Sequence, residues 1–173
     1  MRPGIIAIAF ALIAGPLCFA QTGGATVAPT AAGDSETAYV PVHTFDAKRD
    51  ASADIQAAIA EARRSGKRII LYLGGDWCAY CGQMSKFFAR NPDLVRLRDE
   101  NFVTVYVYYG GESHDEKALA AYGKFVGIPH YFVLASDGRL LHSEHLLDLR
   151  AKGDYSAAKM KDFLAEWAPK KEP

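Results

Sequence analysis

Two cysteines three residues apart, in Asp76-Trp77-Cys78-Ala79-Tyr80-Cys81, are the side chains of this sequence best suited to chemistry. On a helix that spacing sets the sulfurs one turn apart, close enough to bridge without moving the backbone, so the pair can cycle between dithiol and disulfide. At the start of a helix the first sulfur meets unpaired N–H groups and the positive end of the dipole. Such a site lowers a thiol pKa from about 8.5 into roughly the 3.5–7.5 range. Cys78 is then the nucleophile, and Cys81, one turn in and shielded, resolves the mixed disulfide.

Three other uses of the same pair are weighed against this one. A structural zinc site takes four ligands, usually with a second Cys or His pair at short spacing. Only Cys18 remains as a further cysteine, and His114, His130, His142 and His145 follow no finger spacing. Covalent haem attachment requires His directly after the second cysteine; that position is Gly82. The third use, two thiols that merely fill core space, stays open, although Trp77 and the Gly74-Gly75 pair beside them are unusual company for it.

A redox pair needs a strand to deliver it and a helix to carry it. Arg68 to Leu73 is a short apolar run, as expected of a strand buried on both faces, and Gly74-Gly75 breaks it. A helix from the cysteines carries Met84, Phe87 and Phe88 inward until Asn91-Pro92, with a short helical piece from Pro92 to Asp99. Upstream, Ile55, Ala58, Ile59 and Ala62 mark a helix capped by Asp50 or Ser52 and stopped at Gly66. Downstream come a strand from Phe102 to Tyr109 and a helix from Asp115 to Tyr122. Gly127-Ile128-Pro129 leads into a hairpin of strands 131–135 and 139–143, and a last helix from Ser156 to Trp167 turns Met160, Phe163, Leu164 and Trp167 to one face. This order predicts an α/β fold with a central mixed sheet and helices on both faces.

Length and composition set the frame. The chain has 173 residues, 50% of them hydrophobic, enough for one well-buried domain. Twenty basic and twenty acidic residues cancel, so no net field recruits nucleic acid or an anionic membrane. Residues 1–20 have the pattern of a signal peptide: Arg2, an apolar run from Ile5 to Ala14, and small residues closing at Ala20. Cleavage there is expected to send the protein to the periplasm or outside the cell; an uncleaved anchor is the alternative, though the run is short of a span. Export would leave Cys78 and Cys81 as the only thiols, so the one possible internal disulfide is a tight loop that adds little stability and points to redox use. Residues 21–49 are expected to be a flexible linker and N-terminal extension, 50–168 the folded domain, and 169–173 a tail.

Leu71-Tyr72-Leu73-Gly74-Gly75-Asp76-Trp77-Cys78-Ala79-Tyr80-Cys81, followed by a helix and then by Val126-Gly127-Ile128-Pro129 before a strand, resembles the thioredoxin superfamily. The likeness is to exported bacterial thioredoxin-like proteins and to the C-terminal thioredoxin-like domain of membrane electron-transfer thiol reductases. It spans most of residues 50–168. The resemblance implies that Cys78 attacks and Cys81 resolves, that Trp77 flanks a substrate groove, and that Ile128-Pro129 is a cis peptide whose Ile128 backbone pairs with a substrate peptide. An ordinary strand-entry proline is the plain alternative for Pro129.

The chain departs from the family at one informative place. Cytosolic-type thioredoxins carry a buried Asp six residues before the first cysteine, to move the proton of the second; here that residue is Tyr72. Tyr72 is read as a packed strand aromatic or a proton relay, with Asp76 and bound water as other acceptors for the Cys81 proton. The dipeptide Ala79-Tyr80 tunes the redox poise, and Tyr80 replaces the His of strongly oxidising relatives, which leans towards reduction or isomerisation. His130 is either a contact of the site or a plain strand histidine. Tyr106, Tyr108 and Tyr109 are read as strand packing.

The expected function is therefore a thiol-disulfide oxidoreductase acting on protein disulfides or thiols, with no metal and no cofactor beyond the Cys78–Cys81 couple. A membrane thiol reductase is the expected electron donor. Two alternatives stand beside it: an oxidase that donates its disulfide to folding proteins, and a non-enzymatic thioredoxin-like binding module.

Overall fold

The computed structural model describes residues 38–111 and 116–170. The expected leader and the first part of the expected linker lie outside the described residues. Helix α1 (Ala51–Ser65) begins where the Asp50 carboxylate accepts from the Ala53 amide at 3.1 Å, and ends at Gly66, whose φ of 70° suits a left-handed cap. Strand β1 (Arg68–Gly74) follows, then α2 (Ala79–Arg90), α3 (Pro92–Asn101) with Pro92 opening it, and β2 (Phe102–Tyr108). After α4 (Glu116–Leu119) come β3 (His130–Leu134), β4 (Leu140–His145), the two-residue strands β5 (Arg150–Ala151) and β6 (Asp154–Tyr155), and α5 (Ala157–Glu166). Ser156 caps α5 by accepting from the Lys159 amide.

The main sheet runs in the order β2-β1-β3-β4, with β1 parallel to β2 and antiparallel to β3, and β3 antiparallel to β4. Because side chains alternate across a strand, the two faces separate by parity. Ile70, Tyr72, Phe102, Tyr131 and Val133 pack with Met84, Phe87 and Phe88 of α2, Leu94 of α3 and Met160, Phe163 and Leu164 of α5. Ile69, Leu71, Leu73, Val103, Val105, Val107, Phe132 and Leu134 pack with Ile55, Ala58 and Ala62 of α1. The central strand β1 is apolar on both sides because both sides are covered, and this is the mixed sheet with helices on both faces that the sequence pattern predicts.

Three stretches differ from expectation. Residues 38–49, assigned with the linker and extension, are docked on the sheet: Val42 is buried, bridges to Val105, and its carbonyl accepts from the Tyr106 amide at 2.9 Å. The reason is that β2 is an edge strand with unsatisfied main-chain groups, and Val42 and Phe45 supply apolar anchors to a segment that covers it. The helix expected over 115–122 is α only to Leu119 and tightens into a 3₁₀ turn over Ala120–Tyr122 before Gly123, because Leu119 is its one deeply buried anchor. Residues 146–155, given no structure from sequence, form a 3₁₀ turn (Leu146–Leu149) and the β5–β6 hairpin.

Candidate active site

Strand β1 ends at Gly74 and the chain turns through Gly75, Asp76 and Trp77 into α2, which makes Cys78 the N-cap. Its backbone is extended (φ −87°, ψ 107°), and its carbonyl accepts from the amides of Cys81 at 3.0 Å and Gly82 at 3.1 Å. Its sulfur accepts from the Cys81 amide at 3.2 Å. The sulfur thus holds the place that Ser or Asp oxygen holds in other caps. A thiolate there faces the same donor and the positive end of the helix. Cys78 and Cys81 are joined as a disulfide, with Cα atoms 5.2 Å apart. Cys78 is 7% exposed and Cys81 2%, so the first sulfur is the one a partner can reach.

Trp77 is 56% exposed, yet it is seated. Its indole lies against Gly75 and Gly110, where a Cβ on Gly110 would come within 3.1 Å of Cζ2. Gly110 also has a φ of 120°, which a side chain would strain. Asp76 is exposed in the turn, and Ala79 and Tyr80 are exposed in the first turn of α2.

Tyr80 is held from outside α2. The Arg150 guanidinium lies 4.7 Å over the Tyr80 ring and 5.3 Å from that of Tyr155, donates to Gln83 Oε1 at 2.6 Å, and donates to the Gly153 carbonyl. Tyr155 donates its hydroxyl to the Tyr80 carbonyl at 3.3 Å.

Tyr72 lies on the cysteine face of β1, with its ring edge-on to Phe45 at 5.0 Å, Tyr106 at 4.8 Å and Tyr131 at 5.1 Å. Its buried hydroxyl has no hydrogen-bond partner. Burial, and then the neighbouring tyrosines, push its pKa far up, so the phenol stays protonated.

The Ile128–Pro129 peptide is cis. Pro129 is buried and its carbonyl accepts from the Leu146 amide at 3.1 Å, while Ile128 is half-buried and packs against the cores of both faces. A cleft of about 460 Å³, lined by Tyr109, Leu119, Lys124, Phe125, Val126 and Gly127, runs up to this segment. His130 is not a contact of the cysteines. It shares the parity of Phe132, so its ring faces away from them, against Phe125 at 5.1 Å and Phe132 at 4.9 Å, with Nε2 2.8 Å from Ser143 Oγ. Burial, with His145 and His142 adding, pushes its pKa down to about 4.

The site includes residues that the motif did not reveal. A Cβ on Gly74 would stand 2.6 Å from Cζ of Phe45 and 2.7 Å from Sγ of Cys81, so ring and sulfur both border the space beside this glycine. Nothing in the motif pointed to Phe45, which lies in the segment assigned to the linker. For Arg150 and Tyr155 there was no signal, because the contact joins segments far apart in sequence. Among the described residues no group of three or more His, Cys, Asp or Glu lies together as a metal site would require.

Comparison with known proteins agrees with this geometry. A family model described as thioredoxin-like matches residues 50–136. Among solved structures, a disulphide isomerase from Xylella fastidiosa Temecula1 is 28% identical with a TM-score of 0.61, over 70% of this chain and 93% of that one. The oxidised C-terminal domain of DsbD from Neisseria meningitidis is 24% identical with a TM-score of 0.54, over 72% of this chain and 98% of that one. No curated protein sequence matches the chain.

Proposed function

Because this chain belongs to the thioredoxin-like family, we propose that it is a thiol-disulfide oxidoreductase that exchanges the Cys78–Cys81 couple with protein substrates, in the reducing or isomerising direction. The observation that carries the reading is the Cys78 sulfur at the N-cap of α2, accepting from the Cys81 amide and bridged to Cys81. In the dithiol state the Cys78 thiolate attacks a substrate disulfide; one substrate sulfur leaves as thiolate and takes a proton from water. Cys81 then loses its proton and attacks Cys78 Sγ, the mixed disulfide breaks, and the second substrate thiolate departs. Two electrons have passed to the substrate and the couple is left oxidised.

In this reading Trp77, on its seat of Gly75 and Gly110, and the Ile128 main chain would flank a substrate peptide at Cys78. No cofactor beyond the couple enters this scheme. The signal-like composition of residues 1–20 supports action outside the cytoplasm, where a membrane thiol reductase would resupply electrons. The Xylella disulphide isomerase, the more similar of the two structures, supports the isomerising direction.

The test is a pair of variants. Cys78→Ser is expected to abolish disulfide exchange with a disulfide-bonded peptide, and Cys81→Ser to accumulate mixed disulfides with native partners. Full activity in Cys78→Ser would sink the reading. Equilibration with glutathione fixes the direction: a potential near −120 mV would make the protein an oxidase.

A further inference from the structure

Residues 39–45 wrap the free edge of β2. Tyr39 and Val42 pack on the α1 face of the sheet, and Phe45 packs on the cysteine face. The Val42 bridge to Val105 and the turn in which the Arg49 amide donates to the Asp46 carbonyl fix the segment at both ends, and Asp50 then caps α1. Phe45 therefore arrives in a determined place. Its ring stacks tilted on Tyr106 and edge-on to Tyr72, each at 5.0 Å, and its tip and Cys81 Sγ both crowd the space that a Cβ on Gly74 would take, at 2.6 and 2.7 Å from it. Only a glycine fits there.

We propose that this edge segment is part of the redox site, with Phe45 as a positioning residue that closes the rear wall of Cys81 and keeps its thiol dry and protonated in the dithiol state. The inference rests on the exchange reaction above and adds what separates the two sulfurs. An apolar wall favours a neutral thiol over a thiolate, whereas an N-cap favours the thiolate. Cys78 has the cap, and Cys81 has Phe45 and Gly74 behind it. With the wall in place Cys81 does not compete for substrate disulfides, and it loses its proton only when a mixed disulfide on Cys78 gives it a sulfur to attack.

The experiment measures Cys81 alone. In a Cys78→Ser background, the rate at which iodoacetamide alkylates Cys81 is followed from pH 6 to 10 with Phe45, Phe45→Ala, Phe45→Val and Phe45→Leu. Phe45→Ala is expected to speed alkylation at pH 8 by about tenfold and to move the pH midpoint down by about one unit, since a unit in pKa is tenfold in thiolate. Phe45→Leu, which still reaches Gly74, restores most of the protection. Phe45→Val, too short to reach, gives the same reading should the alanine variant not fold. Unchanged rate and midpoint in a folded alanine or valine variant overturn the proposal. The readout needs no protein substrate, so it is independent of the exchange assay: full exchange activity in Cys78→Ser would strike the function, while faster alkylation of Cys81 in Phe45→Ala would still leave the wall standing.

Discussion

The hydroxyl of Tyr155 donates to the main-chain carbonyl of Tyr80 at 3.3 Å, so the dipeptide between the two cysteines is tied to a hairpin more than seventy residues away. Arg150, the cross-strand partner of Tyr155, covers the Tyr80 ring and reaches Gln83. A cation at the first turn of α2 adds to the positive end of the helix and favours the reduced, thiolate form of Cys78.

Arg150→Met is therefore expected to destabilise the reduced form. The equilibrium with glutathione should move towards disulfide by about tenfold, or roughly 30 mV more negative. Arg150→Lys, which keeps the charge without the planar stack, should fall between. Equal potentials for the three proteins would remove Arg150 from any part in redox poise.

Gly74→Ala tests the contact between Phe45 and Cys81 as packing. The added methyl has nowhere to go, and overpacking of this kind costs about 1–3 kcal/mol. Denaturant unfolding should show that loss. Combined with Phe45→Ala the losses should be less than additive, because the truncated ring leaves room for the methyl. Additive losses would mean that the two residues do not share the space.

The parts of this site that lie within one stretch of chain were legible in the sequence. Cys78, Cys81 and the strand-to-helix turn follow from local spacing, Trp77 entered through the family resemblance, and the unbroken apolar run of β1 marked a strand buried on both faces. His130 stayed open between a site contact and a strand histidine because proximity to Pro129 along the chain says nothing about parity, and parity on β3 decides for the strand histidine. Phe45 and Arg150 were hidden for a different reason. Each acts through a contact made only when an edge or a hairpin closes over α2 or β1, and no period in a sequence records such a closure.

Trp77→Ala should separate binding from stability. The indole is mostly exposed and rests on glycines, so its removal should change unfolding free energy by only about 0.5 kcal/mol. KM for a disulfide-bonded peptide should rise while the alkylation rate of Cys78 in the dithiol form stays put. A large fall in stability with unchanged KM would make Trp77 a packing residue instead.

His130 predicts a pH dependence with a definite sign. Its folded pKa is pushed down to about 4, below the ordinary 6.5, so the native state resists a proton that the unfolded chain accepts. The native state is fully stable with respect to this group above pH 6.5. Stability then falls as pH drops from 6.5 to 4, by up to about 1.4 kcal/mol per pH unit. His130→Phe keeps an aromatic between Phe125 and Phe132 and leaves Ser143 to solvent, so its unfolding free energy should fall less steeply across that window. Parallel slopes for the two proteins would show that the ring is protonated without penalty.

Tyr72 occupies the place of a proton acceptor without the chemistry of one. Its pKa is driven up by burial and by the tyrosines around it, so it cannot take the Cys81 proton as a base at neutral pH. Its hydroxyl is buried with no partner, and an unsatisfied buried polar group of this kind costs about 1–3 kcal/mol. The aromatic contacts with Phe45, Tyr106 and Tyr131 use the ring and not the oxygen. Tyr72→Phe keeps those contacts and deletes the orphan, so it should raise the unfolding free energy by about 1 kcal/mol and leave the single-turnover rate of mixed-disulfide resolution unchanged between pH 6 and 9. A resolution rate lowered tenfold or more in a protein of unchanged stability would instead give the phenol a part in moving the proton. Asp76, exposed at the mouth of the turn, and water entering beside Cys78 would then no longer suffice as the route.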